Sequence, residues 1–199
     1  IYGTLAARMA GIPHVVNAVT GLGHVFTSDS LRARMLRPVV RLLFRMALHI
    51  PSGRMILQNG DDQEQFLVNR LVPSDSIRVI RGSGVDTTRF YLKNRENLQD
   101  RGLRVLMATR LLWEKGVCEY VDAARILKSE LPDSEFLLAG EPDDGNPASV
   151  PGPTIERWNK EGVITSLGHV DDMAAMLRKV DIVVLPSYRE GTPRILLEA

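Results

Sequence analysis

Two carboxylates, Glu190 and Glu198, lie eight positions apart near the end of the chain. An apolar run at 181–185 precedes them, and a Gly-Thr-Pro turn separates them. This order predicts a strand, a turn and a helix start, where uncompensated backbone N–H groups can bind an anion. Thr192 suits the N-cap of this helix and Pro193 suits its first position. Both carboxylates could then border a pocket for a ligand with hydroxyl groups and a diphosphate, such as a nucleotide-sugar. The pair alone fits equally well a solvated Glu at a turn and another on a helix surface.

A pair of cations, Arg110 and Lys115, follows another apolar run and precedes a helical pattern. They could bracket a diphosphate, since Arg offers a fork of N–H donors and Lys a point charge. Two surface cations in a loop are the alternative interpretation. No Asp-x-Asp triplet, His–Cys cluster or HExxH motif occurs in the sequence, which predicts no catalytic metal and no cofactor.

The composition is that of an ordinary soluble globular protein, 44% hydrophobic and 25% charged over 199 residues. A net charge of +1 gives no argument for nucleic acid as a partner. The single cysteine, Cys118, excludes an internal disulfide and a thiolate metal cluster, and its amphipathic surroundings predict buried packing. The sequence shows no signal peptide and no apolar run near the ~20 residues of a membrane span, so the predicted location is cytoplasmic.

Short apolar runs alternate with helical patterns along almost the whole chain. The clearest helical pattern, at 116–131, repeats apolar residues until Pro132. A second lies at 171–180, with Asp171 as its expected cap. This alternation predicts an α/β protein with parallel sheets and helices on both faces. The predicted strands are 15–19, 55–59, 77–80, 104–109, 135–140, 163–167 and 181–186.

A polar segment at 86–102 lacks a strand pattern and predicts a link between two α/β units, at 1–85 and 103–199. The chain opens directly in a helical pattern and stops within another at Ala199. We therefore expect a fragment that contains parts of two domains.

The closing segment LPSYREGTPRILLEA, 185–199, closely resembles the Glu-(seven residues)-Glu motif of retaining glycosyltransferases of the GT-B architecture, the group 1 or family 4 class. Further segments resemble that class in the same order along the chain. Residues 82–90 are similar to its GVD...F crossover, 109–117 to its GR...KG segment, and 167–173 to the place where it meets the nucleotide base. Residues 139–147 resemble a loop of bacterial members that assemble surface polysaccharide.

The resemblance implies the GT-B fold, two Rossmann-like domains with parallel sheets, both incomplete in this chain. Residues 1–85 would be the latter part of the N-terminal acceptor domain, and 86–102 the interdomain crossover. Residues 103–199 would be the N-terminal part of the nucleotide-sugar donor domain.

The resemblance also implies roles for individual residues. Glu190 would be the catalytic residue that orients the donor sugar, and Glu198 would bind the ribose. The other implied donor contacts are the phosphate ligands Arg110 and Lys115, the segment beside the sugar at Gly191, Thr192 and Arg194, and the base contacts His169 and Val170.

One position departs from the family pattern. Many members carry a His directly before a Gly in the acceptor domain, where this chain has Thr20 before Gly21. His24, four residues on from Thr20, is the alternative candidate. The departure puts the usual role of that His in doubt.

Arginines recur through 31–49 at a spacing that predicts one basic helix face, containing Arg37, Arg41 and Arg45. Pro38 is expected to start a second helix. The basic face is either simply solvated, or it docks on an anionic membrane surface or a lipid diphosphate. A docked enzyme would lie peripherally on the inner face of the plasma membrane. Opposite this face we expect an apolar stripe that packs on the core, formed by Met35, Val39, Leu43 and Met46.

The resemblance implies a retaining hexosyltransferase, and the missing metal motifs predict that it is metal-independent. It would move a hexose or N-acetylhexosamine from a nucleotide diphosphate sugar to a lipid-linked saccharide on a polyprenyl-diphosphate carrier, in the biosynthesis of O-antigen, capsule or a similar polymer. The fragment alone is expected to be inactive. Two alternatives stay open: a nucleotide-sugar 2-epimerase of the same architecture, and a non-catalytic relative that binds nucleotide-sugars.

Overall fold

Parallel strands form a separate sheet in each half of the chain. The structure is a computed structural model and describes residues 2–19, 31–48, 53–82, 84–91 and 102–199. It divides the chain into two compact units, Ile1–Ser83 and Gly84–Ala199. Of the predicted link at 86–102, residues 86–91 belong to the second unit, and 92–101 lie outside the described residues.

The first unit contains a three-stranded parallel sheet of order β1-β2-β3. Its core is formed by Met55, Leu57, Phe66 and Leu71, all fully or almost fully buried. The apolar strand residues thus pack against the helix that follows the second strand. The elements in chain order are α1 (Tyr2–Met9), β1 (Val16–Val19), α2 (Leu31–Leu48), β2 (Arg54–Leu57), α3 (Gly60–Val68), a 3-10 turn (Ser74–Ser76) and β3 (Ile77–Val79).

Helix α2 runs without a break through Pro38, so the prediction that Pro38 starts a second helix is wrong. A proline inside a helix leaves a carbonyl one turn earlier without its usual N–H partner. Pro38 is exposed, and water can therefore satisfy that carbonyl. The helix can continue through Pro38 because the hydrogen bond that is lost there lies on its solvent side.

The orientation of α2 is the reverse of the one predicted. The expected core stripe is exposed, with side chains between 46% and 73% accessible (Met35, Val39, Leu43 and Met46). Arg37 and Arg41 are half-buried, and Arg45 donates from Nη2 to the carbonyl of Asn69 at 2.7 Å. The end of the helix packs through the buried Ala47 and Leu48 and through Phe44, whose ring meets that of Phe66 edge-on at 6.3 Å between centroids. The side of α2 that includes Arg37, Arg41 and Phe44 therefore lies against the unit. Arg34 and Arg45 remain exposed, as does the apolar stripe.

The second unit contains a four-stranded parallel sheet of order β6-β5-β4-β7. The first strand therefore lies inside the sheet, between strands that follow it in sequence, as in doubly wound α/β folds. The elements in chain order are β4 (Arg104–Ala108), a 3-10 turn (Trp113–Lys115), α4 (Val117–Glu130), β5 (Glu135–Ala139), α5 (Gly152–Lys160), β6 (Thr165–Gly168), α6 (Met173–Leu177), β7 (Ile182–Val183) and α7 (Arg194–Glu198).

Both faces of this sheet are covered. Alternate residues of β4 and β5 point to opposite faces, so each strand contributes to two hydrophobic clusters. One cluster packs β4 and β5 against α4 and α5, and includes Tyr120 and Trp158. The other includes Leu106, Leu137 and Val180, with partly buried residues of α6 beside them. The predicted α/β class with parallel sheets is confirmed.

The last strand, β7, is shorter than the predicted 181–186. Asp181 accepts a hydrogen bond from the backbone N–H of Arg104 at 2.7 Å, and the ladder pairs only Ile182 and Val183 with β4. After the Val184 N–H bonds to Leu106 at 2.9 Å, the chain leaves the sheet. The apolar residues Val184 and Leu185 therefore lie in a loop beyond the strand, and this loop belongs to the site described below.

Candidate functional site

A cavity of about 470 Å³ opens at the carboxyl ends of β4, β5 and β6. Loops that follow neighbouring parallel strands meet at one edge of a sheet, which is where ligands bind in such folds. The cavity brings together four of the predicted site residues: Arg110, His169, Val170 and Glu198. The other lining residues are Ala108, Thr109, Ala139, Gly140, Glu141, Met173 and Ile195.

Lys115 and Glu190 form an ion pair, with 2.7 Å between Nζ and Oε1. Lys115 ends the 3-10 turn after β4, and Glu190 lies in the loop after β7, the strand beside β4. Their side chains are only 14% and 26% exposed. Neither residue lines the cavity. The structure thus joins the two predicted charges directly to each other rather than across an open pocket.

A glycine allows the two loops of this ion pair to approach. Gly116 has φ +76°, and a Cβ at this position would lie 2.2 Å from the carbonyl oxygen of Pro186. No side chain fits at that distance, and the left-handed backbone itself favours glycine. Gly116 therefore sets the spacing between the Lys115 turn and the segment that leads to Glu190.

A second close approach joins the loops after β4 and β5. Gly140 has φ +138°, and an added Cβ would lie 2.1 Å from the carbonyl oxygen of Thr109. Glu141 follows directly and lines the cavity. Thr109 and Glu141 belong to the segments 109–117 and 139–147 singled out in the sequence, but neither residue was predicted to contact the donor. The available signal was the glycine at the end of a predicted strand, next to the Arg110 loop.

The last helix starts one residue later than predicted. Pro193, with φ −70° and ψ 117°, is the N-cap, and the helix begins at Arg194. Thr192 is therefore not the cap, and Pro193 is not the first helical residue. The Pro193 carbonyl accepts the N–H of Leu196 at 3.2 Å, while its extended backbone keeps Pro193 outside the helix. Gly191 and Thr192 lie in the turn before it.

Arg194 contacts Glu198 one turn later on the same helix. The distance between Nη2 and Oε1 is 3.2 Å, and the Arg194 side chain is 72% exposed whereas that of Glu198 is 13% exposed. Pairs at this spacing share one helix face. Glu198 is thus the inner member, placed at the cavity wall, and Arg194 covers it from the solvent side.

The segment after β6 also differs from the prediction in its cap. Asp172, not Asp171, caps α6, because its Oδ1 accepts the N–H of Ala175 at 3.0 Å. Asp171 instead lies 3.4 Å from His169 Nε2, and both side chains are exposed. The His169 side chain therefore lies at the solvent rim of the cavity.

Some expectations fall elsewhere in the chain. Thr20 and His24 lie outside the described residues. Arg37, Arg41 and Arg45 lie on α2 of the first unit. Within the described residues no group of three or more His, Cys, Asp or Glu side chains is placed to hold a metal ion. No helix in the same part of the chain combines the length and apolar character needed to cross a membrane.

Comparison with known proteins gives a consistent set of similarities. Residues 102–199 match the family model for glycosyl transferases group 1. The whole chain is 33% identical to the N,N'-diacetylbacillosaminyl-diphospho-undecaprenol alpha-1,3-N-acetylgalactosaminyltransferase of Campylobacter jejuni, and covers 53% of that protein. It is 31% identical, again over its whole length, to the UDP-Gal:alpha-D-GlcNAc-diphosphoundecaprenol alpha-1,3-galactosyltransferase of Escherichia coli, and covers 52% of it.

A solved structure shows the same fold. The Anabaena protein HepE, in complex with UDP-glucose, superposes on 99% of this chain with a TM-score of 0.71 at 21% identity, and the match covers 53% of HepE. The predicted GT-B fold class is confirmed by such neighbours. The chain spans about half the length of the relatives that it matches.

Proposed function

We propose that the protein is a retaining glycosyltransferase, because residues 102–199 match the family model for group 1 glycosyl transferases. It transfers a hexose or N-acetylhexosamine from a nucleotide diphosphate sugar to a saccharide on a polyprenyl-diphosphate carrier, in the biosynthesis of a cell-surface polysaccharide. The names of two relatives, which describe transfer to diphospho-undecaprenol saccharides, support this acceptor class. The observation that carries the proposal is the cavity at the strand ends, with Arg110 and Glu198 in its wall.

The cavity suits the nucleotide part of such a donor. Its volume of about 470 Å³ lies within the range of small-molecule sites. Glu198 offers carboxylate oxygens that can accept hydrogen bonds from two ribose hydroxyls, and Arg110 offers a planar fork of donors for a phosphate. The backbone of His169 and Val170, at the rim formed by the loop after β6, supplies the contacts to the base.

The Lys115–Glu190 pair suits the part of the donor that reacts. A diphosphate that enters between the two loops competes with Glu190 for the Lys115 ammonium, since both are anions. Lys115 and Arg110 then stabilise the charge on the departing diphosphate, and the backbone of Gly191, Thr192 and Arg194 adds polar contacts beside it. Glu190, released from Lys115, can accept hydroxyl hydrogen bonds from the sugar. Because two cations meet the charge of the leaving group, the proposed reaction needs no metal, and activity is expected to persist in excess EDTA.

The experiment that tests this function is a transfer screen with the full-length protein. The protein is incubated with nucleotide-sugars and polyprenyl-diphosphate-linked saccharides, and the masses of the lipid products are measured by mass spectrometry. The expected result is a mass gain of one hexose or one N-acetylhexosamine on the lipid. The NMR spectrum of the product is expected to show the same anomeric configuration as the donor sugar. A donor sugar that is isomerised without an acceptor would instead identify an epimerase, and binding without any turnover a non-catalytic relative.

We also propose that helix α2 docks on an anionic membrane, where a lipid-linked acceptor resides. The helix carries five arginines and no acidic residue. Beyond the stripe described above, its exposed apolar side chains include Leu36 and Leu42. A helix with this combination lies in the interface of a bilayer, with apolar side chains among the acyl chains and arginines near the phosphates. The predicted basic face is therefore one edge of the docking surface rather than its centre.

Vesicle binding distinguishes the two faces of α2. In vesicles of phosphatidylglycerol and phosphatidylcholine, Leu42→Gln with Met46→Gln is expected to weaken binding at least about tenfold, because two apolar side chains no longer leave water. Arg37→Gln with Arg41→Gln is expected to reduce the preference for anionic over neutral vesicles, because two of the five arginines of α2 are lost. Val68→Gln, an exposed apolar residue on α3, serves as the control. Unaltered binding by both double variants would contradict the docking.

A further inference from the structure

The segment that carries Glu190 has no regular secondary structure of its own. Residues 184–193 lie between β7 and α7, outside both elements. A catalytic group on such a segment needs support from neighbouring elements, because loops without it are mobile. Much of the support near Glu190 comes from one short stretch of the chain, Glu114–Glu119, which includes Lys115.

Backbone contacts provide the first part of this support. The N–H of Tyr188 donates to the carbonyl of Glu114 at 3.1 Å, and the Ser187 hydroxyl donates to the same carbonyl at 3.3 Å. The Ser187 hydroxyl also lies 3.3 Å from the carbonyl of Arg189. These bonds tie the segment just before Glu190 to the turn that ends at Lys115.

A side-chain contact provides the second part. The Tyr188 hydroxyl donates a hydrogen bond to the carboxylate of Glu119, 69 positions earlier in the chain. Glu119 lies in the first turn of α4, where a negative charge is favoured by the helix dipole. The bond from Tyr188 lowers the pKa of Glu119 and raises that of Tyr188. Neither side chain belongs to the donor contacts proposed above.

The arrangement matters because the Lys115–Glu190 ion pair cannot hold the loop during the reaction. In the proposed mechanism a diphosphate competes for Lys115 and loosens that pair. The contacts of Tyr188 with Glu114 and Glu119 do not involve either charge, so a diphosphate at Lys115 does not compete with them. They can therefore keep Glu190 in place at the moment when its own ion pair is lost.

We propose that Tyr188 and Glu119 are positioning residues, which brace the loop of Glu190 against the start of α4 so that the donor site is formed in advance. This inference rests on the proposed function. It predicts that loss of the Tyr188 hydroxyl weakens catalysis without removing any group that touches the donor.

The test uses Tyr188→Phe, Glu119→Ala and their double variant in the full-length protein. Amide hydrogen exchange of the peptide that covers 186–191 is expected to become faster in each variant, while exchange in β4 and β5 stays unchanged. The kcat for sugar transfer is expected to fall about two- to tenfold, the range for loss of one hydrogen bond, with little change in the KM of the acceptor. The double variant is expected to be no worse than the poorer single one, because both changes remove the same bond.

Conservative and distant variants complete the design. Glu119→Gln keeps an oxygen that can accept the Tyr188 hydroxyl, and is expected to restore most of the kcat lost in Glu119→Ala. Glu130→Gln, at the other end of α4, and Tyr2→Phe, in the first unit, are the matched controls.

Two results would overturn the brace: unchanged exchange at 186–191 in Tyr188→Phe, or faster exchange with wild-type kcat. Absence of transfer by the wild-type protein from every nucleotide-sugar would contradict the proposed function instead. The exchange data would then still decide whether Tyr188 and Glu119 hold the loop.

Discussion

The ion pair between Lys115 and Glu190 predicts a measurable coupling in stability, which Lys115→Met, Glu190→Gln and the double variant would reveal. Two unit charges 2.7 Å apart attract by about 6 kcal/mol at an effective dielectric constant near 20. Most of this is offset because both groups lose water on burial. Exposed pairs couple by up to about 1 kcal/mol, and breaking a fully buried pair costs about 3–5 kcal/mol. With side chains 14% and 26% exposed, we expect a coupling of about 1–3 kcal/mol.

A second ion pair of the same unit provides the matched control. Arg104 and Glu135 approach to 2.9 Å, but their side chains are 36% and 49% exposed. The cycle of Arg104→Met and Glu135→Gln should therefore give less than about 1 kcal/mol. If burial rather than distance sets the strength of such pairs, the two cycles must differ.

The assay is urea unfolding followed by tryptophan fluorescence. The sequence has two tryptophans, Trp113 and Trp158, and both lie in the second unit, so the signal reports the unit that contains both ion pairs. Coupling is the difference between the double variant and the sum of the two single variants. Additive effects at Lys115 and Glu190, or a coupling no larger than that of the control pair, would refute the reasoning.

Three further predictions concern the elements around the site. Gly116→Ala is expected to lower the free energy of unfolding in urea by more than about 2 kcal/mol, since left-handed strain of about 1–2 kcal/mol adds to a backbone clash. Gly145→Ala, with φ +83° and open space around the added Cβ, is the control that carries the strain alone. Tyr120→Phe is expected to cost about 1–3 kcal/mol by the same measurement, because its buried hydroxyl donates to carbonyls of both β4 and β5. In Tyr188→Phe, an NMR titration should find that the pKa of Glu119 has risen toward its ordinary value. Because the native pKa is lowered, the stability that the bond adds is present above the ordinary value and is lost as the pH falls through the lowered one.

The sheet and the cavity could be foreseen because they depend on local patterns. Apolar runs bounded by turn residues marked all seven strands of the described chain, and the structure differs mainly at their ends. Once the strands are parallel, residues that follow them meet at one edge of the sheet. Arg110, His169 and Glu198, which are far apart in sequence, therefore line one cavity. The glycines at 116 and 140 fix how closely the loops meet.

The orientation of α2 could not be foreseen because periodicity identifies the faces of a helix and not their surroundings. The pattern separated Arg37, Arg41 and Arg45 from an apolar stripe correctly, but which side packs depends on contacts made far along the chain. The bond from Arg45 to the carbonyl of Asn69 is one such contact. The pairing of Tyr188 with Glu119 is another, since nothing local relates residues 69 positions apart.

The predicted N-caps of two helices were wrong by a single residue. Pro193 and Asp172 are the caps, where Thr192 and Asp171 were predicted. In each case two neighbouring residues could serve, and the backbone angles set by the preceding turn decide between them. Such errors leave the site in place, because Glu198 reaches the cavity with either start of its helix.

The central claim is that the loops of Lys115 and Glu190 form the reacting end of a nucleotide-sugar site. The most direct measurement is the rate of sugar transfer to the lipid-linked acceptor by full-length Lys115→Ala and Glu190→Ala proteins, with Lys160→Ala, an exposed lysine at the end of α5, as the control. Each site variant is expected to lose at least about a hundredfold in kcat, as for other groups that stabilise a transition state, while the control keeps the wild-type rate. A wild-type rate from either Lys115→Ala or Glu190→Ala would contradict the claim.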